Sequence, residues 1–363
     1  MRLFPKHFTL DWALLILVSM AILTGLMLLY SADHLSMNLP IKQLTKGSLI
    51  LGVVLGISYL DERKLRELSI PLYLISLALL IFVLYKGYHT KGAQRWLNFY
   101  LFRFEPSELV KITLPMALAS IIHQQGIPIK GKTLIQACIM ILIPFILVLK
   151  QPDLGTALIL LLIGGITIFV AGLNRKIIYG GVLFIMASLP LFWQMLHSYQ
   201  QQRIITLFSG DDDLKHHGYH IHQSKIAIGS GGFWGKGLGL GDQVQLGFIP
   251  EHKTDFIFTV LSEEFGFFGN ILWLCLVVAI GLRCIYLGYK QRNTFNKLVC
   301  ISLSSAYMLG SWINMSMVCG LLPVVGVPLP FLSYGGTSFV ATLAAFALIL
   351  KLGHTDPRKQ HLW

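Results

Sequence analysis

Charge is what this sequence has least of. Asp, Glu, Lys and Arg make up 13% of its 363 residues and only 17 residues are acidic, whereas 55% are hydrophobic and the mean hydropathy is +0.67. That balance excludes an ordinary water-soluble domain, in which about a quarter of the residues are charged. Cysteine is also sparse. Cys138, Cys275, Cys284, Cys300 and Cys319 lie in or beside apolar runs and form no C-x-x-C pair, so neither a disulfide framework nor a cysteine metal site is indicated. There is no low-complexity segment, no convincing internal repeat, and no G-K-[ST] loop following a strand, which leaves nucleotide binding without a motif. The net charge of +12 likewise has no nucleic-acid-binding motif behind it.

What is present instead is apolar length. Runs of about 17 to 25 residues, enough to cross a hydrocarbon core as helices, recur from end to end. They fall roughly at 12–30, 43–60, 70–88, 106–122, 133–150, 154–173, 177–196, 256–288, 298–319 and 336–352. The expected fold is therefore all-α: a polytopic integral membrane protein, a single membrane domain over residues 1–363, with about ten transmembrane helices. A long extracytoplasmic loop, about 197–255, separates the seventh helix from the eighth. The 256–288 run is overlong, and is either one tilted helix or a helix broken near Gly266 and Gly269, where glycine loosens the backbone. The first run is too long for the apolar core of a signal peptide and has no small-x-small cleavage site, so it is expected to be a retained span.

Lys and Arg in short loops resist translocation. With the N-terminus inside, the stretches 61–68, 127–132, 174–176 and 290–297 and the tail from 351 are basic and cytoplasmic, and both termini share that side. The other face receives residues 86–108, the long loop, and 321–336. Long loops cross regardless of charge, so their Lys and Arg are no contradiction. Most of the positive charge is then topology, and the remainder is available to anionic lipid head groups.

Ionisable side chains at or inside spans are costly in hydrocarbon and usually face a cavity or one another. Here they gather on the translocated side. Glu108 and Lys111, three apart on a helix, share a face and can pair; Lys150 and Asp153 bracket the outer end of a span; Arg95 and Arg103 precede Glu108. A functional cluster and a set of structural ion bridges fit that spacing equally well. In EHKTDFIFTVLSEEFG, 251–266, Asp255 stands where charge gives way to hydrocarbon. It reads as a helix N-cap. The positive end of the helix dipole would keep the same carboxylate ionised, as a general base requires. Glu263 and Glu264 lie two to three turns further in and point about 100° apart. One is expected to pair with a basic group of another span, for instance Lys111, and the other to reach a polar cavity.

Seven glycines between 229 and 241 permit close backbone approach to a ligand and loop mobility, with a plain flexible loop or an interfacial amphipathic segment as alternatives. His216, His217, His220 and His222 match no named zinc spacing, and the acidic run 211–213 lacks the glycine and final glutamate of an EF-hand loop. A polar loop and a solvated turn are expected there. Residues 321–338 hold too many prolines and glycines for a spanning helix, and read as a re-entrant or packed loop beside the same outward-facing site.

The motifs GAQRWLNF, RFEPSELVKI, QPDLGTAL, GYHIHQSKIAIGSGGFWGKG, PEHKTDFIFTVLSEEFG and LLPVVGVPLPFLSYGGTS, in this order and spacing, resemble the SEDS family (shape, elongation, division and sporulation). Within it, QSKIAIGSGG…GKG is closer to the rod-shape branch, RodA, than to the division branch, FtsW. The resemblance implies a peptidoglycan glycosyltransferase of the bacterial inner membrane that polymerises lipid II during cell elongation and releases undecaprenyl pyrophosphate. It implies ten helices with both termini cytoplasmic. As partners it implies a class B penicillin-binding protein that cross-links the product, the rod-complex proteins MreC and MreD, and membrane lipids. Carried over motif by motif, the family's essential acid of HTDF matches Asp255, the Glu and Lys of PSExxK match Glu108 and Lys111, the arginine of QRW matches Arg95, and the acid of QPDLG matches Asp153. Lys253 stands where relatives often have His, and Gly247 where an acid is common, which bears on contacts near Asp255 and not on the reaction class.

Under that resemblance a sugar hydroxyl attacks the anomeric carbon of a second lipid II while negative charge grows on the leaving pyrophosphate. Asp255 is the candidate base. Arg95 and Lys111, then Arg103 and Lys253, are the candidate cations at the pyrophosphate, with Glu108 holding Lys111. An α-linked donor and β-linked product imply inversion in one displacement. No protein metal site is expected, although a divalent cation, Mg or Mn, could share the pyrophosphate charge. Two other classes compete. A lipid II flippase or other transporter would gather coupling groups near the midplane and show repeat symmetry; a non-catalytic scaffold of the elongation machinery would need Asp255 only as a cap.

Overall fold

The computed structural model describes residues 11–90, 93–99, 102–195, 201, 205 and 219–354. The acidic run 211–213, His216, His217 and the tail beyond 354 lie outside the described residues. In chain order the helices are α1 (Trp12–Ala32), α2 (Asn38–Tyr59), α3 (Glu62–Lys86), α4 (Pro106–Gln125), α5 (Gly131–Leu149), α6 (Leu154–Val170), α7 (Arg175–Met195), two short helices α8 (Tyr219–Ser230) and α9 (Asp242–Gln245), then α10 (Ile257–Tyr289), α11 (Thr294–Val318) and α12 (Thr337–Gly353). Each of the ten expected apolar runs falls on one of the ten long helices. By length and composition α1, α3, α5, α10 and α11 can each cross a membrane, and α6 and α12 are shorter apolar helices.

Local chemistry sets several of the helix starts. Asp11 accepts from Leu14 N at 2.7 Å to open α1, Asp153 from Thr156 N at 3.1 Å to open α6, and Asn293 from Phe295 N at 2.9 Å to open α11. Pro106 takes the first turn of α4, where its missing N–H costs nothing. α4 is the central helix: α3, α5, α6, α11 and α12 all pack on it, and 14 of its 20 residues are buried. The peripheral helices bury only a stripe and turn Leu and Ile outward, as a lipid-facing surface does. Between helices, hydroxyls pair in the core, Ser76 with Thr113 at 2.9 Å and Thr167 with Ser302 at 2.8 Å.

Residues 86–108 were expected as a loop and instead form a small antiparallel sheet, β1 (Tyr88–Thr90), β2 (Ala93–Phe99) and β3 (Phe102–Phe104). Leu97 of β2 is buried and its neighbour Asn98 is exposed, as successive strand residues point to opposite faces.

α10 decides between the two readings of the overlong run. It is broken at Gly266 (φ 64, ψ −160), while Gly269 stays helical. A continuous helix would bond Phe267 N–H to Glu263 O and Phe268 N–H to Glu264 O. Both rungs are open, and all four groups are taken by the glycine-rich segment. Lys236 N donates to Glu263 O (3.0 Å) and Gly237 N to Glu264 O (3.0 Å), while Phe267 N donates to Gly232 O (2.9 Å) and Phe268 N to Phe233 O (3.1 Å). Glycine is required for this fit. A β-carbon on Gly235, whose φ is +81, would stand 2.1 Å from Glu264 O. Gly231 and Gly235 therefore serve close approach to a helix backbone, a use of the glycines that the sequence did not indicate.

The turns before α10, and its first part before the break, both meet the end of α1. His252 Nε2 contacts Ala32 O at 3.1 Å, Lys253 pairs with Asp33 at 2.8 Å, and Ser31 donates to Glu264. Glu264 thus reaches the same end of α1 as Lys253. After the break, residues 267–289 rise about 34 Å, enough to span a bilayer core.

Candidate active site

Asp255 is half-buried in a run of turns, one residue before the N-cap position of α10, which is Phe256 and makes no side-chain cap. The chain is already wound here, with Phe256 N bonded back to Glu251 O at 3.2 Å, so the helix starts one residue later than the cap position expected at Asp255. What fixes Asp255 is the irregular segment between α11 and α12. Tyr334 N donates to Lys253 O (2.9 Å), Ser333 Oγ to Thr254 O (2.7 Å), and Asn314 Nδ2 to both Asp255 O and Val327 O (2.7 Å each). Lys253 and Thr254 are thus tied directly to the loop, and Asp255 to it through Asn314 of α11. A β-carbon on Gly326 (φ +68) would lie 3.6 Å from Asp255 Oδ2, so the loop passes beside the carboxylate without crowding it. On the other side the loop meets α1, where a β-carbon on Gly25 would come within 2.2 Å of Phe331 O.

The loop also walls a cavity of about 70 Å³ between α4, α6, α11 and α12. Glu108 and Lys111 stand in its wall, paired at 2.8 Å and both mostly buried. Val327, tied through Asn314 to Asp255, lines the same cavity.

Arg95 is turned elsewhere. Its guanidinium donates to Gln151 O at 3.2 Å and to Pro152 O, and Nη1 lies 3.6 Å from Asp153, which caps α6. It braces β2 against the α5–α6 turn. Lys253 is engaged by Asp33, and Arg103 lies on the exposed face of β3, its guanidinium 6.0 Å from the Tyr88 ring centroid. Of the sequence-predicted residues, the structure brings Glu108 and Lys111 together in the cavity wall, Arg95 and Asp153 at the neighbouring turn, and Asp255 at the loop.

Glu263 and Glu264 do not reach Lys111, because they are spent on the glycine-rich segment and the end of α1. Glu263 accepts from Lys236 Nζ (2.9 Å) and Gln243 N (3.1 Å), and Glu264 from Ser31 and Gly239 N (3.1 Å). Lys236 is held above its ordinary range, first by its hydrogen bond to Glu263 and then by Asp242.

Two residues escaped the sequence reading. Glu105, the N-cap residue of α4, accepts from Ser107 Oγ at 2.9 Å; burial, then the negative charges of Glu108 and Asp153, push its carboxyl up to about 8. Two acids three apart in FEPSE were the available signal. Asn314 was flagged only by being an amide within an apolar span. Among the described residues, no group of three or more His, Cys, Asp or Glu is placed to hold a metal ion.

Residues 7–357 match the family model of the FtsW/RodA/SpoVE cell cycle proteins. The chain belongs to this family. Among its FtsW/RodA/SpoVE relatives, the peptidoglycan glycosyltransferase MrdB of Escherichia coli K12 is 37% identical over 343 residues, covering 94% of this chain and 92% of that one. MrdB of Helicobacter pylori J99 is 37% identical over 312 residues, 84% and 80% of the two chains. Among solved structures, RodA of Thermus thermophilus superposes with a TM-score of 0.73 at 28% identity over 96% of this chain and 98% of its own. A chain from a peptidoglycan synthase complex, described as coordinating polymerization and crosslinking, gives 0.83 at 28% identity over 95% and 98%.

Proposed function

We propose that this protein is a peptidoglycan glycosyltransferase that polymerises lipid II in the bacterial inner membrane, with both termini cytoplasmic, alongside a cross-linking class B penicillin-binding protein. The observation that carries the reading is the tie between Asp255 and the cavity. Asn314 bonds the main chain of the acid and that of Val327, and Val327 shares the cavity wall with Lys111. A candidate base is thereby held at a fixed place beside a cavity with a buried cation, in a family whose curated relatives are named for this activity.

In the proposed reaction the sugar hydroxyl of one lipid II is placed at Asp255, whose carboxylate takes its proton as the oxygen attacks the anomeric carbon of the other. The C–O bond to the pyrophosphate breaks, and Lys111 faces the charge that develops there, acting in surroundings of low dielectric where one cation counts for more than in water. Glu108 keeps Lys111 aimed. Arg95 is assigned to bracing the α5–α6 turn through its carbonyl contacts, with Asp153 fixing both. No step is routed through a divalent cation. MreC and MreD are further partners that the family resemblance implies.

The test uses purified protein with its cross-linking partner and labelled lipid II, comparing wild type with Asp255→Asn. The substitution keeps the main-chain oxygen that Asn314 grips and removes only the basicity. Glycan synthesis is expected to fall by about 10²- to 10⁴-fold, the usual worth of a general base. Polymer made at the wild-type rate would remove Asp255 from the chemistry.

A further inference from the structure

Two polar side chains of α2 have no part in the proposed reaction. Gln43 and Lys46 lie three apart and so share one face of the helix. Gln43 is buried and Lys46 half-buried, whereas Ile41 and Leu44 beside them are exposed, as lipid-facing residues are. A lysine about two turns inside a helix of this kind is costly in hydrocarbon and is kept where its ammonium has a partner. Here the partner is the segment between α11 and α12. Lys46 Nζ donates to Tyr334 Oη at 3.1 Å and lies 4.3 Å from the centroid of the same ring, a hydrogen bond and a cation–π contact together. Gln43 Nε2 donates to Ser333 O at 3.2 Å.

Ser333 and Tyr334 are also the two residues that hold the turns before α10. Tyr334 N donates to Lys253 O and Ser333 Oγ to Thr254 O, while Leu329 N donates to Ser333 Oγ at 2.7 Å and fixes the direction of that hydroxyl. Each of the pair is therefore gripped from both sides, by α2 on one and by the chain next to Asp255 on the other. We propose that Lys46, with Gln43, is a positioning residue for glycosyl transfer: from α2 it sets the place of Ser333 and Tyr334, and through them that of the Asp255 carboxylate. The inference rests on the reading of Asp255 as the base. Asn314 grips Asp255 O from α11, and the hold on Lys253 and Thr254 is the second one, which prevents a pivot about the first. A shift of about 1 Å at a reacting group can cost about a hundredfold in rate, so a hold on its chain neighbours bears on the chemistry without touching it.

Lys46→Met keeps the aliphatic stem and removes the ammonium. With purified full-length protein, its cross-linking partner and labelled lipid II, kcat is expected to fall about tenfold or more, with KM for lipid II unchanged because the cavity cation Lys111 is untouched. Lys46→Arg keeps a cation that can stack on Tyr334 and donate to its hydroxyl, and is expected to recover most of the rate. In the Asp255→Asn background, whose residual rate owes nothing to the carboxylate, Lys46→Met is expected to cost about twofold at most. Wild-type kcat in Lys46→Met overturns the inference, and so does an arginine variant as slow as the methionine one. A loss that falls on KM overturns it by putting Lys46 at the lipid itself. A further loss of about tenfold in the Asp255→Asn background overturns it by showing a general effect on the fold. Should Lys46→Met fail to accumulate, Tyr334→Phe reaches the same contact from its other end by deleting only the hydroxyl. Its kcat is expected to fall in the same sense and by less, since the ring still meets Lys46, and wild-type kcat there overturns the inference. Polymer made at the wild-type rate by Asp255→Asn defeats the base reading, whereas an inactive Asp255→Asn beside a wild-type Lys46→Met defeats this inference alone.

Discussion

Replacing Lys236 by Met tests how the glycine-rich segment is held on the broken helix. Lys236 Nζ lies 2.9 Å from both Glu263 Oε1 and Asp242 Oδ2. The two arms differ in worth. The Asp242 side chain is 71% exposed, so that contact contributes at most about 1 kcal/mol. The Glu263 side chain is fully buried, and stripping the partner from a buried carboxylate costs about 3–5 kcal/mol. Lys236 is itself 25% exposed, so water screens the pair and about 2–3 kcal/mol is expected. Glu263→Gln costs about 1 kcal/mol, because Lys236 keeps Asp242 and water, and the Gln243 N–H keeps an oxygen acceptor. The double variant should then resemble Glu263→Gln, an interaction energy of about 2 kcal/mol against additivity. Unfolding of the detergent-solubilised protein by SDS titration measures all four proteins, with fluorescence of Trp234, packed on Phe268 at the break, as one reporter. Equal stability of Lys236→Met and wild type, or a double variant as unstable as the two singles summed, would refute the reasoning.

Two further predictions concern pH. Glu105 is pushed up to about 8, so it is neutral below that pH and adds a negative charge near Lys111 above it. The KM for lipid II should rise above about pH 8 in wild type and stay flat through that range in Glu105→Gln, read from initial rates of polymer synthesis. Burial pushes the Asp33 carboxyl up, but the hydrogen bond and charge of Lys253 outweigh it and hold the group below its ordinary value of 3.8. Its stabilising contribution is therefore present above that pH and lost as the pH falls through the lower folded value. Melting curves of Asp33→Asn should lie below wild type at pH 7 and converge with it in strong acid.

The helices were legible because about 20 apolar residues in a row have few other uses, and the run 256–288 announced its own break by its length and by Gly266. Partners across the fold were not legible. The pairing of Glu108 with Lys111 could be read from spacing because both sit on one helix. The attachments of Glu263 to Lys236 and of Lys253 to Asp33 join residues 27 and 220 positions apart. No helical periodicity carries that information. The exact start of α10 was not legible for a local reason: a turn that bonds Phe256 back to Glu251 puts the N-cap position at Phe256, one residue after Asp255, and composition does not show it. The sheet at 88–104 was hidden by its brevity, since three residues of β1 or β3 give no alternation to recognise.

The break in α10 also sets an order of biosynthesis. Its open rungs are filled by residues 232–237, which leave the ribosome before the helix does. In hydrocarbon each unpaired N–H or C=O costs several kcal/mol. A nascent α10 without that segment in place is therefore best satisfied as one unbroken rod of 33 residues, about 50 Å long and well beyond the thickness of the core. The kinked helix becomes the stable form only once residues 232–237 have folded back onto it. The bend at Gly266 and the seating of residues 232–237 are then one event, and the turns carrying Asp255 lie in the chain between the two.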